Sequence, residues 1–285
     1  MSASAPLDPR FNACREDLAD AALREKVTAV HFVEGKPGQI TAASAPLRRA
    51  PRFDAPLDTE ALRGETLTIF EENEGWAWVQ LDRDRYVGYL PTEALSKTLR
   101  EVTHRVTALR TYVFPAPDIK APPLDLLSMN AGVAVTGERD QFLELDDGGF
   151  LFAGHAAPVD RHAPDFIDVA GRFVGTPYLW GGRTSIGLDC SGLVQLSLEA
   201  VGIAAPRDTD IQEAALGEAL SEPTNPGLVR PGDLIFWKGH VGIVNHGGEL
   251  LHANAHHMAT VAEPLGQAVK RIAEAGNTIT SIKRL

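Results

Sequence analysis

Residues 177–195, PYLWGGRTSIGLDCSGLVQ, decide the fold of the C-terminal half, because a glycine-rich loop here runs into an apolar helix. The helical part continues as CSGLVQLSLEAVG (190–202), which predicts a largely buried helix ending at Gly202. Cys190 lies in its first turn, where free backbone N–H groups and the helix dipole favour a thiolate and can hold an oxyanion. The position predicts a nucleophile, and a small buried core residue is the alternative.

The segments around this stretch predict an α+β domain over 160–285, with helices first and antiparallel strands afterwards. Upstream, PDFIDVAGRFVG (164–175) has apolar residues at helical spacing. Downstream, the sequence predicts a helix at about 264–275 among several strands. These strands are DLIFW (233–237), HVGIVNH (240–246), ELLHAN (249–254), ATVAE (259–263) and a last strand within TITSIKRL (278–285).

Two histidines in these strands are candidates for acid–base chemistry. His240 opens an apolar strand, where it can be held to accept the proton of a cysteine nucleophile. His252 follows twelve residues later and can turn to the same face, where it would orient the His240 ring. A structural role is the alternative for each. Five histidines within 240–257 also suggest a metal, but no second cysteine and no suitably spaced carboxylate accompany them, so no metal site is predicted.

The N-terminal half predicts small β-modules. Residues 41–98 contain the β-rich runs ETLTIFEE (65–72), WAWVQL (76–81) and YVGYL (86–90), typical of a small barrel. Residues 99–159 repeat this rhythm around a proline-rich loop at 114–123, and Pro-Leu-Asp recurs at an offset of 67 residues. Two divergent copies of one module are therefore predicted, with a single larger β-domain as the alternative.

The remaining N-terminal segment, 1–40, predicts a helix at 15–27 and a strand within 28–35. Charges interrupt each apolar stretch near the N-terminus, and no run of 18 apolar residues occurs, so neither a signal peptide nor a membrane helix is predicted and a cytoplasmic location is expected. The net charge of −11 argues against nucleic acid as a partner. Two cysteines are too few for a disulfide framework or a four-cysteine zinc site.

Five motifs, in this order, resemble those of the NlpC/P60 cysteine peptidases of bacterial cell-wall metabolism. They are PYLWGG (177–182), DCSGLVQ (189–195), PRDTDIQ (206–212), RPGDLIFWKGHVGIV (230–244) and LLHAN (250–254). The resemblance implies a papain-like domain in which helices pack on an antiparallel sheet. The upstream modules resemble bacterial SH3-like domains, which accompany this peptidase in a subgroup that cleaves γ-D-glutamyl-diamino-acid bonds.

The resemblance also implies the roles of individual residues. Cys190 matches the nucleophile, His240 the base and His252 the third polar member. Positions that match the substrate pocket are Tyr178, Asp189, Ser191 and Thr209, together with Glu65 and Tyr86 from the first module. Asp189 would pair with an ammonium group. A solvated strand residue is the alternative for Glu65, and a packing aromatic for Tyr86.

The expected activity is therefore hydrolysis of the bond between γ-D-glutamate and a diamino acid, diaminopimelate or lysine, in murein peptides with a free N-terminal L-Ala. The expected partners are these small peptides, without cofactor, nucleic acid or membrane, in recycling of the cell wall. A hydrolase of intact peptidoglycan and a non-catalytic murein-peptide-binding protein are the alternatives. The oligomeric state and the preferred diamino acid stay open.

Overall fold

The computed structural model describes residues 7–285, so the first six residues of the predicted N-terminal segment lie outside the described residues. The chain forms two compact units. The first runs to Arg105 and also contains Tyr112–Leu127 and Ala131–Gly154. The second contains Val106–Thr111, Ser128–Asn130 and His155–Leu285. Short pieces of 99–159 thus belong to the second unit, and the predicted domain boundaries at 41, 99 and 160 stay predictions.

The first unit is built around a seven-stranded antiparallel sheet, with the strand order β5-β4-β8-β7-β6-β3-β9. Apolar side chains such as Leu47, Val79 and Leu90 form its core. The strands are β1 (Leu18–Asp20), β2 (His31–Val33), β3 (Lys36–Ile40), β4 (Ser44–Arg48), β5 (Leu57–Leu62), β6 (Thr66–Asn73), β7 (Trp76–Leu81), β8 (Val87–Pro91) and β9 (Leu95–Ser96). The runs predicted at 65–72, 76–81 and 86–90 are β6, β7 and β8.

The helix predicted at 15–27 is wrong. This segment forms β1 and a 3-10 turn at Ala21–Leu23, and β1 pairs with β2 in parallel. Leu18 packs in a cluster with Phe70 and Trp78, and Ala19 is fully buried. Strand pairing and this packing therefore override the local helical spacing.

The region from 99 to 159 contains eight short strands. The β-rich character predicted for this region is confirmed, and the proline-rich segment 114–123 is a loop. β12 was not predicted. The strands are β10 (His104–Val106), β11 (Arg110–Val113), β12 (Asp125–Ser128), β13 (Gly132–Val133), β14 (Val135–Arg139), β15 (Phe142–Leu145), β16 (Phe150–Phe152) and β17 (Ala156–Pro158). β14, β15 and β16 form an antiparallel sheet.

The main part of the second unit is α+β, as predicted. Its six-stranded antiparallel sheet has the order β18-β23-β19-β20-β21-β22. The helices are α1 (Phe166–Gly171), α2 (Cys190–Ala200), α3 (Thr209–Ala215) and α4 (Leu265–Glu274). The strands are β18 (Glu218–Ala219), β19 (Leu234–Trp237), β20 (His240–Val244), β21 (Glu249–Asn254), β22 (Ala259–Pro264) and β23 (Ile279–Arg284). Further 3-10 turns lie at Thr92–Ala94, Ala153–His155 and Pro226–Leu228.

In the second unit, the helices α2 and α4 both pack against strands of the six-stranded sheet. α2 contacts β20 and β21, while α4 contacts β21 and β22. β19 and β20 form a hairpin in which Trp237 pairs with His240, so His240 follows directly on the turn at Lys238 and Gly239. The start of β20 and the start of α2 are the two places where the sequence predicts chemistry. Among the described residues, no helix is both long and apolar enough to cross a membrane.

Candidate active site

Cys190 is the first residue of α2 and is 6% exposed. The backbone N–H of Val241 donates to its thiol, and Thr209 Oγ1 lies 3.9 Å from Sγ. Because Val241 follows His240 directly, the thiol lies beside the start of β20. The loop before the helix packs tightly against it: a Cβ at Gly192 would lie 2.5 Å from the carbonyl oxygen of Gly182.

The Cys190 thiol is protonated in the resting site. Burial, and then the negative charge of Asp189, raise its pKa to about 11, against the opposing effects of the Val241 N–H, the Thr209 hydroxyl and the Arg207 charge. The sequence predicts a thiolate favoured by the helix start. The structure differs because burial is the largest of the effects on the pKa of the thiol, and burial disfavours the thiolate.

Asp189 organises the start of α2. Its carboxylate caps the helix by accepting the N–H of Gly192 at 2.8 Å, and it also accepts the N–H of Gly181 at 2.9 Å. Arg207, whose side chain is 1% exposed, binds both carboxylate oxygens at 2.7 and 2.9 Å. The Ser191 hydroxyl donates to the same carboxylate at 3.3 Å and accepts from Arg207 at 2.8 Å. The partner of Asp189 is thus Arg207, and the predicted pairing with a substrate ammonium stays a prediction.

Two further predicted residues lie within electrostatic or contact distance of the thiol. Tyr178 is half-buried, and burial together with the charges of Cys190 and Asp189 raises the pKa of its hydroxyl, which stays protonated. Thr209 begins α3, and its hydroxyl contacts the cysteine sulfur. Both can donate a hydrogen bond next to the nucleophile.

The two predicted histidines are bonded to each other. His240 Nε2 lies 2.8 Å from His252 Nδ1, and His252 is fully buried. Gly242 lets β20 pack closely against β21, because a Cβ there would lie 2.6 Å from Cδ1 of Leu250 and 3.2 Å from the Cβ of His252. The remaining nitrogen of His240 is Nδ1, which is the one available to exchange a proton with a thiol.

Both histidines are neutral in the resting site. Burial, followed by the charges of His252 and Arg271, lowers the pKa of His240 to about 3. Burial also lowers the pKa of His252, against the opposing effect of the hydrogen bond that His252 donates to Glu263. The site therefore combines a neutral thiol at the start of α2 with a neutral imidazole at the start of β20.

The sequence did not predict the ion pair between Glu263 and Arg271, which extends the hydrogen-bonded chain from His240 and His252. Glu263 Oε1 lies 2.7 Å from His252 Nε2, and Arg271 binds both oxygens of Glu263 at 2.5 and 2.6 Å. Burial raises the pKa of Glu263, but the hydrogen bonds from Arg271 and His252 outweigh it and lower the pKa to about 2. The sequence gives only a weak indication of this contact. Val261 pairs with His252 across β21 and β22, and Glu263 lies two residues further on, which makes it a diagonal neighbour of His252 on the same face.

Glu65 and Tyr86 belong to the first unit. Arg83 binds both carboxylate oxygens of Glu65, at 2.7 and 2.8 Å. Tyr86 is 4% exposed and packs edge-on against Phe11 with ring centroids 5.4 Å apart. Packing explains Tyr86 and an ion pair explains Glu65, and their roles in substrate binding stay predictions.

Of the other histidines in 240–257, His246 bonds to Asp165 at 2.8 Å and lies near Asp168. Within residues 7–285 this is the one group of three side chains with ligand atoms close enough to share a metal ion. It contains neither His240 nor His252. Exposed acidic groups of this kind are common without a metal.

Comparison with protein families gives two matches. Residues 47–95 match the bacterial dipeptidyl-peptidase SH3 domain, and residues 175–273 match the NlpC/P60 family. The first match covers β5 to β8, and the second contains Cys190, His240 and His252.

Individual proteins show the same similarity. The γ-D-glutamyl-L-lysine dipeptidyl-peptidase of Bacillus subtilis is 28% identical over 222 residues, which are 70% of this chain and 73% of that protein. The probable endopeptidase NlpC homolog of Haemophilus influenzae is 33% identical over 145 residues, 48% of this chain and 75% of that protein. The crystal structure of an NlpC/P60 family protein from Bacillus cereus has the same fold, with a TM-score of 0.73 at 21% identity over 87% of this chain and 99% of that one.

Proposed function

Since the chain belongs to the NlpC/P60 family, we propose that it is a cysteine peptidase that hydrolyses the bond between γ-D-glutamate and a diamino acid in murein peptides with a free N-terminal L-Ala. The observation that carries this proposal is the hydrogen bond between His240 and His252 at the start of β20. The residue after His240 in this strand, Val241, contacts the Cys190 thiol. The similarity to a γ-D-glutamyl-L-lysine dipeptidyl-peptidase over 70% of the chain supports the choice of bond.

The reaction begins from the neutral pair. Nδ1 of His240 takes the thiol proton as the sulfur of Cys190 attacks the γ-carbonyl carbon of D-glutamate. Backbone N–H groups at the start of α2 and the Tyr178 hydroxyl stabilise the oxyanion. His240 then protonates the departing amine of the diamino acid, which leaves a thioester on Cys190.

The second half of the reaction returns the enzyme to its starting state. His240 takes a proton from a water molecule, and the hydroxide attacks the thioester. The intermediate expels the sulfur of Cys190, which recovers its proton from His240. The products are L-Ala-D-Glu, with a free γ-carboxyl group, and the diamino acid. Neither half needs a cofactor.

The finer architecture and the setting belong to the same proposal. The match at 47–95 supports one SH3-like module, and the strands in 99–159 favour a second, divergent one. The packing of α2 and α4 on a six-stranded sheet supports a papain-like arrangement. A role in recycling and a cytoplasmic location follow from the expected substrate, a small peptide already released from the glycan.

Product analysis on defined peptides tests the function. L-Ala-γ-D-Glu-diaminopimelate and its lysine counterpart are incubated with the protein, and the products are identified by mass spectrometry. We expect the dipeptide and the free diamino acid from the parent protein and from Cys14→Ala, and neither from Cys190→Ala.

Two other results would contradict the proposal. Cleavage of intact peptidoglycan without cleavage of either tripeptide would show a wall hydrolase. Binding of the tripeptides by the parent protein without any cleavage would show a binding protein.

A further inference from the structure

Two side chains compete for one ring nitrogen of His252. Nε2 lies 2.7 Å from a carboxylate oxygen of Glu263 and 3.0 Å from the amide nitrogen of Asn254. A carboxylate accepts a hydrogen bond from Nε2–H, whereas an amide NH₂ group donates and needs Nε2 as an acceptor. The nitrogen cannot serve both partners at once, so the stronger one sets the tautomer of the ring.

The orientation of the Asn254 amide is fixed independently. Its oxygen accepts the backbone N–H of His257 at 2.8 Å and also lies 3.0 Å from His257 Nδ1. With the oxygen held by the turn after β21, the amide nitrogen points to His252. Asn254 therefore favours a His252 ring that carries its proton on Nδ1.

Glu263 favours the other tautomer, with a stronger interaction. The two bonds from Arg271 hold its carboxylate in place, and its pKa of about 2 keeps it ionised at neutral pH. A hydrogen bond to a charged acceptor is roughly twice as strong as one between neutral groups. The proton of His252 therefore lies on Nε2.

We propose that Glu263, anchored by Arg271, is a positioning residue that keeps the proton of His252 on Nε2 against Asn254, and so keeps Nδ1 of His240 free to act as the base. His252 Nδ1 is then an acceptor, and His240 Nε2–H donates to it over 2.8 Å. The lone pair of His240 remains on Nδ1. The role as base rests on the proposed function, but the tautomers do not.

The charges around the two rings act on their pKa values in opposite directions. Glu263 on β22 raises the pKa of both histidines, while Arg271 on α4 lowers them. His257, after β21, also lowers the pKa of His252, and the charge of His252 lowers the pKa of His240. Glu263 is therefore the group that stabilises the imidazolium formed when His240 takes the thiol proton.

Glu263→Gln tests the proposal, because it keeps the shape of the side chain and removes its charge. The amide of Asn254 then determines the tautomer, and the His252 proton moves to Nδ1, where it is donated to Nε2 of His240. His240 must then carry its own proton on Nδ1, so this nitrogen can no longer accept the proton of the thiol. We expect kcat to fall about a hundredfold, the low end of what a general base contributes. KM should stay within about twofold, because Glu263 contacts no substrate in this mechanism. Glu274→Gln, the same change at an exposed residue of α4, should have no effect.

A second change distinguishes this role from a structural one. Asn254→Asp in the Glu263→Gln background keeps an oxygen for the His257 N–H and replaces the competing donor with a carboxylate oxygen. The double variant should recover at least tenfold in kcat over the single variant. If the double variant is no more active than Glu263→Gln while both melt at the same temperature, the proposal is overturned.

Long-range ¹H–¹⁵N NMR of the histidine rings gives a readout that needs no substrate. The parent protein should show protons on Nε2 of both His240 and His252, and Glu263→Gln should show them on Nδ1. A parent protein with the His252 proton on Nδ1 would overturn the inference, even if Glu263→Gln failed to fold. The correct tautomers in a protein that cleaves neither tripeptide would instead overturn the proposed function alone.

Discussion

Arg207→Met should destabilise the second unit by leaving a buried carboxylate without its cation. The guanidinium of Arg207 makes two bonds to Asp189, one to Ser191 at 2.8 Å and one to the carbonyl of Gly182 at 3.3 Å. Methionine has a similar length and makes none of them. The side chain of Asp189 is 11% exposed, so water cannot replace the lost partner without opening the loop.

Removing one partner of a buried ion pair costs about 3–5 kcal/mol. Asp189 keeps the N–H donors of Gly181 and Gly192 and the Ser191 hydroxyl, so the low end, about 3 kcal/mol, is expected. Asp189→Asn combined with Arg207→Met removes the unpaired charge and keeps an N-cap, because asparagine caps helices well. The double variant should lose only about 1–2 kcal/mol, less than the single variant.

The assay follows unfolding of the second unit through its buried thiol. In a Cys14→Ala background, the protein is equilibrated in increasing urea and pulsed with iodoacetamide, and labelling of Cys190 is measured by mass spectrometry. The urea midpoint gives the change in the free energy of unfolding, because labelling follows exposure of the thiol. A loss below about 1 kcal/mol in Arg207→Met, or a double variant less stable than the single one, would refute the reasoning.

Two further predictions concern the histidines and the thiol. His240→Ala should lower kcat/KM by about a hundredfold or more, whereas His252→Gln should keep part of the activity, because an amide oxygen can still orient His240; equal loss in both would show that His252 does more than orient. The rate of Cys190 alkylation by iodoacetamide should rise steadily with pH and show no plateau between about pH 5 and 8, because only the thiolate reacts and the pKa of the thiol lies at about 11. A rate that is independent of pH in this range would show a thiolate–imidazolium pair and would contradict the neutral pair.

Periodicity predicted the second unit well where the elements are long. The run 190–202 and the strands at 249–254 and 259–263 appear as α2, β21 and β22 within a few residues. α3 was missed, because a helix of seven residues with charged and polar positions carries little apolar period. The helix predicted at 15–27 failed for the opposite reason: its apolar spacing is real, but Leu18 packs against residues of the sheet that are far away in the sequence.

The candidate site was predictable where a motif carries it and not where long-range pairing does. Cys190, His240 and His252 stand in recognisable segments, and the structure brings the two histidines into contact. Glu263 and Arg271 lie in stretches without a motif, and their position depends on the register of β21 with β22 and on the packing of α4. The spacing of apolar residues in the sequence predicts neither this strand register nor this helix packing.

The neutral state of the site explains why these distant residues matter. In a preformed thiolate–imidazolium pair, the orientation of the base would already be fixed by the charge next to it. Here burial is the largest cause of both pKa shifts, so the charges form only while the substrate reacts. The proton must then leave Cys190 for a nitrogen that already has a lone pair. That nitrogen is set by the hydrogen bonds from His240 through His252 to Glu263, so a carboxylate that does not touch the thiol controls whether the base can accept its proton.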